Sequence, residues 1–175
     1  MQNVSKWIML SLFLAFLFNA CSGLRPIETT DRTRKSPSTQ SSSSKSSVSG
    51  LRKDITQYAK KQVGTKYKYG GKTPKGFDCS GFTYYVMRNF DVDIAGSSSS
   101  QARMGKKISS KKAQPGDLVF FARGSKVFHV AMVYKNTSAG IEVIHSTSSR
   151  GVIIENISKS SYWKPKMAYV RDVLD

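Results

Sequence analysis

A chain of 175 residues leaves room for one ordinary domain and excludes a second of similar size. Its formal net charge of +17 is not the property of a tail, because residues 51–175 hold 22 bases and nine acids, +13 of the total. Such a surplus invites an anionic partner, whether nucleic acid, a wall polymer or lipid headgroups, and location decides among them.

Location is written in the first residues. Lys6 gives a short basic start, and Trp7 to Phe18 is almost wholly apolar. Spanning a bilayer takes about 20 apolar residues, so this run is too short for a membrane helix and suits the core of an export signal over residues 1–20. Asn19 and Ala20 then lead into Cys21. The arrangement resembles a bacterial lipobox, in which the Cys is acylated and becomes the mature N-terminus, although Phe18 and Asn19 stand where the usual box has Leu and a small residue. Ser22 is not an Asp-type inner-membrane retention signal, which favours the outer membrane or periplasm. Export with only two cysteines would ordinarily suggest a disulfide. Cys21, however, sits at the cleavage point, so Cys79 is left as a lone thiol that must be buried or used.

Residues 21–50 turn polar and Ser-rich, and too little apolar surface is available there to offset ordering entropy. A disordered tether is expected, with the folded domain at 51–175. Leu51, Ile55, Tyr58, Ala59 and Val63 recur at three-to-four spacing and predict an amphipathic helix ending at Gly64. The aromatic and Gly-rich stretch 67–71 reads as extended chain and turn. Asp78 precedes a second helix with Phe82, Tyr85, Val86 and Phe90 on one face. Ser99 or Ser100 would cap a short helix reaching Met104. After the turn at Pro115, Gly116 and Asp117 the period changes to two, giving strands near 118–121, 127–134, 141–146, 152–157 and 166–170. Helices first and a mostly antiparallel sheet of about five strands afterwards predict an α+β domain.

Three residues stand out chemically. Cys79 at a helix N-terminus would meet orphan N–H groups and a favourable dipole, which lower a thiol's pKa; the plain alternative is a small buried hydrophobe. The chain's two histidines, His129 and His145, fall in consecutive predicted strands. On alternation, Val127, His129, Ala131 and Val133 share one face, as do Ile141, Val143 and His145 on the next strand. A hairpin symmetric about Thr137 pairs Tyr134 with Gly140 and therefore His129 with His145, their Cβ atoms about 5 Å apart. The metal reading is weak, since no third His or suitably spaced acid joins them, and none is expected. A catalytic reading needs one imidazole as base and a second group fixing its tautomer, and these two histidines supply both in either order.

The segments 64–71, 76–82, 114–121 and 128–133 together resemble the NlpC/P60 peptidases, and the similarity covers nearly all of 51–175. The resemblance implies a papain-like α+β fold and hydrolysis of peptidoglycan stem peptides without a cofactor. It assigns Cys79 as nucleophile, His129 as base and His145 as the orienting third residue. Tyr67 matches a tyrosine that shapes the oxyanion site, with a core aromatic as its plain alternative. Asp78 and Ser80 match contacts for the free amino end of the stem peptide, with a helix cap as the plain alternative for Asp78. The bond next to γ-D-Glu, toward diaminopimelate or Lys, is the expected target. The D-Ala–diaminopimelate cross-link is an alternative, as is a non-catalytic wall-binding lipoprotein. Partners are then the stem peptides and the membrane holding the lipid at Cys21. Nucleic acid is not expected, and a monomer is.

Overall fold

The computed structural model describes residues 41–174. The expected export signal at 1–20, Cys21 and the first part of the Ser-rich stretch lie outside the described residues. Three helices come first: α1 (Ser41–Lys60), α2 (Cys79–Arg88) and α3 (Ser98–Gln101). A small ribbon of β1 (Lys72–Thr73) and β2 (Gly76–Phe77) sits between α1 and α2. Then come β3 (Lys106–Ile108), β4 (Leu118–Arg123), β5 (Lys126–Thr137), β6 (Gly140–Thr147), β7 (Gly151–Asn156) and β8 (Met167–Asp172). These form one antiparallel six-stranded sheet in the order β3-β8-β4-β5-β6-β7. The α+β architecture read from the sequence is therefore the one observed, with one strand more in the main sheet and a separate two-stranded ribbon. The added β3 is three residues long with two of them exposed, too short to show an alternating pattern.

The helix boundaries differ in instructive ways. Helix α1 begins at Ser41, inside the stretch expected to be tether, but Ser46, Ser47, Ser49 and Gly50 are exposed. Burial starts only at Arg52, and Ile55, Thr56 and Ala59 continue that face. Val63 is not part of it: the helix ends at Lys60, the chain turns through Gly64 at φ +92°, and Val63 is 45% exposed. Helix α3 is capped by Ser97, whose hydroxyl accepts from the Ser100 N–H, rather than by Ser99 or Ser100.

The sheet has an apolar layer on each face. Leu118, Phe120, Val130, Met132 and Ile144 pack toward Ile55, Phe82 and Val86 of the helices. Val119, Phe121, Ala131, Val133 and Val143 point the other way, against Ile157 and Trp163. Burial on both faces explains why β4 reads as an unbroken apolar run rather than an alternation.

One polar cluster ties the ends of the fold together. From α1, Arg52 donates to Asp117 Oδ1 at 2.6 Å, to the Pro115 carbonyl at 3.0 Å and to Asp172 Oδ1 at 2.7 Å. All three side chains are nearly inaccessible, at 4%, 0% and 8% exposure. No local pattern announces contacts between residues 65 and 120 positions apart. Removing the guanidinium would strand two buried carboxylates, a loss of about 3–5 kcal/mol. Arg52→Ala should therefore lower the urea midpoint strongly, with Arg52→Lys intermediate because it keeps the charge but not the fork. Unchanged midpoints would show that the cluster does not hold the fold.

Candidate active site

Cys79 is the first residue of α2, and its neighbours fix where the helix starts. Asp78 is the N-cap: its Oδ1 accepts from the Gly81 N–H at 2.6 Å and the Ser80 hydroxyl at 3.0 Å. Its Oδ2 accepts from the Gly70 N–H at 3.0 Å, tying the 64–71 segment to the helix. A Cβ on Gly81 would lie 1.9 Å from the Gly71 carbonyl oxygen, so only glycine lets α2 approach the ribbon this closely. Just before the cap, the Phe77 carbonyl accepts from the Ser146 hydroxyl at 2.7 Å. Because Ser146 follows His145 directly, this one bond holds the cysteine turn against the histidine strand.

The hairpin that carries the histidines is not the one the spacing predicts. At the turn the pairs are Thr137 with Gly140 and Lys135 with Glu142; past a bulge at Tyr134 they become Val133 with Val143 and Met132 with Ile144. Carried on, that register sets His145 opposite Ala131, so His129 is its diagonal neighbour and not its direct partner. The turn register alone would have sent the two rings to opposite faces, and the extra residue restores them to one. A second bulge, at Phe128 against β4, breaks the alternation there. Val127 consequently packs with the helix-side layer, not on the face of His129.

The rings meet edge to edge: His129 Nε2 and His145 Nδ1 are 2.9 Å apart. His145 Nε2 in turn lies 2.7 Å from Glu155 Oε1. Glu155 stands opposite Val143 on β7, and so the chain of bonds steps diagonally across β5, β6 and β7. Trp163 stacks on His129 with centroids 4.5 Å apart and planes 28° apart, and donates its indole N–H to Glu155 Oε1 at 2.7 Å. Neither Glu155 nor Trp163 is anticipated from the sequence. The available signal was a lone acid within the apolar strand pattern 152–157, on the face shared with His145.

A cavity of about 440 Å³ opens onto this cluster, lined by Tyr67, Cys79, Phe128, His129, Glu155 and Trp163 among others. Cys79, His129 and Tyr67 are thus brought to one space, with His145 fully buried behind His129. Asp78 and Ser80 do not line it; Ser80 is 7% exposed, and both sit in the cap. Among the described residues no group of His, Cys, Asp or Glu is arranged to hold a metal ion.

The electrostatics differ from the expectation of a lowered thiol pKa. Burial pushes the Cys79 thiol up, the Asp78 charge adds to this, and hydrogen bonds from the N–H groups of Val130, Ser80 and Cys79 only partly offset them. Burial, then the proximity of His145, pushes His129 down to about 3, against a smaller upward pull from Glu155. Burial, with the Cys79 and Asp78 charges, likewise keeps the Tyr67 phenol protonated. Both shifts favour the uncharged forms, a thiol and an imidazole that face the same cavity. Such a pair can pass a proton from sulfur to nitrogen as a bond forms, with Tyr67 and the N–H groups at the start of α2 available as donors to a developing oxyanion.

The family model described as the NlpC/P60 family matches residues 64–172. The chain is 40% identical over 114 residues to the gamma-DL-glutamyl hydrolase of Bacillus subtilis (strain 168), covering 62% of this chain and 27% of that protein. It is 38% identical over 112 residues to the murein DD-endopeptidase MepS/murein LD-carboxypeptidase of Escherichia coli (strain K12), covering 63% and 57% respectively. The chain therefore spans roughly a quarter and just over half of these two relatives' lengths. The solved structure of an NlpC/P60 family protein from Bacillus cereus ATCC 10987 superposes with a TM-score of 0.65 at 30% identity, covering 71% of this chain and 40% of that one.

Two measurements follow from the protonation states. Iodoacetamide should alkylate Cys79 slowly at neutral pH, the rate climbing as pH passes the ordinary thiol range of about 8.5. A rate already level from about pH 6 would mean that sulfur has given its proton to His129 at rest. The His129 contribution to stability should fall as pH drops from about 6.5, because the unfolded chain takes up a proton that folded His129 refuses until about 3, while Asp117, raised by burial to about 6, works in the opposite direction. His129→Gln should flatten that slope in denaturation curves; an unaltered slope would place its origin elsewhere.

Proposed function

Because the chain belongs to the NlpC/P60 family, we propose that it is a cysteine peptidase that hydrolyses amide bonds in peptidoglycan stem peptides. The observation that carries this reading is the hydrogen bond of 2.9 Å between His129 Nε2 and His145 Nδ1, with Cys79 facing the same cavity as His129. With Nε2 occupied by His145, Nδ1 is the nitrogen left to His129 for the thiol. Cys79 is then the nucleophile, His129 the base and His145 the residue that orients it.

In this mechanism the Cys79 proton passes to His129 Nδ1 as sulfur attacks the amide carbonyl. The tetrahedral oxyanion accepts from N–H groups at the start of α2 and from the Tyr67 hydroxyl. His129 returns the proton to the leaving amine, giving a thioester on Cys79 and a free amino product. Water, deprotonated by His129, then releases the acyl half as a carboxylic acid and restores the thiol. Throughout, His129 donates through Nε2–H to His145, which holds the ring in place and shares the transient positive charge.

The bond assigned is that between γ-D-Glu and diaminopimelate or Lys, in keeping with the activity named for the Bacillus subtilis relative. The name of the Escherichia coli relative favours a second reading, the D-Ala–diaminopimelate cross-link. Asp78 and Ser80 are carried as contacts for the free amino end of the stem, in addition to their bonds in the helix cap. An export signal ends at residue 20, Cys21 carries the lipid, and a Ser-rich linker runs into α1 ahead of the catalytic domain at 51–175. The protein then acts as a monomer on the envelope, in the outer membrane or periplasm, with its basic surface toward anionic wall groups and no role for nucleic acid.

Mass spectrometry of defined muropeptides after incubation with the protein tests this directly and names the bond. Cys79→Ala should reduce cleavage by about a thousandfold or more while leaving the fold intact. Stem peptides that the wild type leaves unchanged, yet still binds, would replace the peptidase with a wall-binding lipoprotein.

A further inference from the structure

Glu155 is the acceptor on which three donors converge. His145 Nε2 and Trp163 Nε1 each reach Oε1 at 2.7 Å, and Arg150 reaches Oε1 at 3.1 Å and Oε2 at 3.0 Å. An indole N–H and a guanidinium can only donate, and a charged guanidinium on both oxygens favours the ionised, acceptor-only form of the carboxyl. It is well suited to that state: hydrogen bonding by His145 first, then by Arg150 and Trp163, holds it down at about 2 against the opposing effect of burial.

An ionised carboxylate has no proton to give, so the bond to His145 must be donated by Nε2–H. In a neutral His145 the lone pair is then on Nδ1, and the contact at 2.9 Å must be donated by His129 Nε2–H. That in turn leaves His129 Nδ1 unprotonated, the state a base for Cys79 requires. For a neutral His145, the direction of every proton in the chain is thus set from its far end.

We propose that Glu155 is a positioning residue of the site, setting the His145 tautomer through one bond and the Trp163 ring against His129 through another. The inference rests on the peptidase reading for its effect on rate, but the tautomer it assigns does not depend on that reading. Glu155 acts through His145 and Trp163, and its carboxylate also lies two hydrogen bonds from the positive charge that forms on His129 during attack. The charge is more favourably compensated there than by a neutral residue at the same position.

The test combines nitrogen-15 NMR of the histidine side chains of the intact protein at neutral pH with steady-state kinetics on a stem-peptide substrate. Wild-type His145 should show a pyrrole-type Nε2 and a pyridine-type Nδ1. Glu155→Gln keeps the shape, but its amide donates as well as accepts. It should admit the Nδ1–H tautomer of His145 and lower kcat by about 10–100-fold with KM nearly unchanged. A wild-type His145 protonated on Nδ1 alone would overturn the proposal, as would a Glu155→Gln variant with wild-type kcat or one whose loss lies wholly in KM. If the variant does not fold, the wild-type tautomer still decides. A wild type that binds but does not cleave stem peptides would sink the peptidase reading and leave the tautomer measurement standing.

Discussion

One extra residue in β5 determines whether this molecule has a site at all. Tyr134 interrupts the ladder between β5 and β6, and the shift it introduces brings His129 and His145 to the same face of the sheet. Side chains alternate along a strand, so an odd register would have left one imidazole among the helix-packed residues and the other beneath Trp163. With the bulge in place the rings approach to hydrogen-bonding distance, and the same diagonal continues to Glu155 on β7. The burial of His129 and the tautomers proposed for the pair both depend on that register.

Cys79, the nucleophile in the proposed mechanism, comes from a different part of the fold and is held by contacts that leave it little freedom. Cys79 packs against the helix-side layer, whereas His129 stacks on Trp163 of the opposite layer, and the two face one cavity from these different layers. The Ser146 hydroxyl on the Phe77 carbonyl, the Asp78 cap and the close approach at Gly81 fix this arrangement. On the other side, backbone bonds between residues 64–65 and Val152 clamp the segment bearing Tyr67 onto β7. Burial has a cost, since it favours the neutral thiol and the neutral imidazole over their charged forms. In the proposed mechanism, preorganised donors at the point where charge develops offset that cost during reaction rather than at rest.

Much of this was legible in the chain because it follows from local periodicity. The order of helices and strands, the α+β class, the capping role of Asp78 and the shared face of the two histidines rest on spacings of two or three to four residues. What escaped detection has no local signature. The Arg52 cluster joins residues far apart, β3 is too short to alternate, and a bulge shifts a register without altering composition. The histidine pair shows how a correct face was reached through an incorrect pairing: a direct opposition was expected, a diagonal one is present, and the two differ by an even step that preserves the face. Helix α1 starts ahead of its apolar pattern because an exposed, Ser-rich turn of helix has no apolar stripe to mark it. The upward shift of the Cys79 thiol has no sequence signature either, as desolvation depends on packing that only the folded chain displays.

The most direct measurement is intact-mass spectrometry of the protein quenched during turnover of a stem peptide, followed by peptide mapping of any adduct. The expected result is a thioester carrying the acyl half of the cleaved bond on Cys79, which accumulates when His129 is replaced by a residue unable to activate water and attack is driven by alkaline pH. Cleavage that proceeds with no covalent species on Cys79, or with the acyl group on another side chain, would contradict the chemistry assigned to this site.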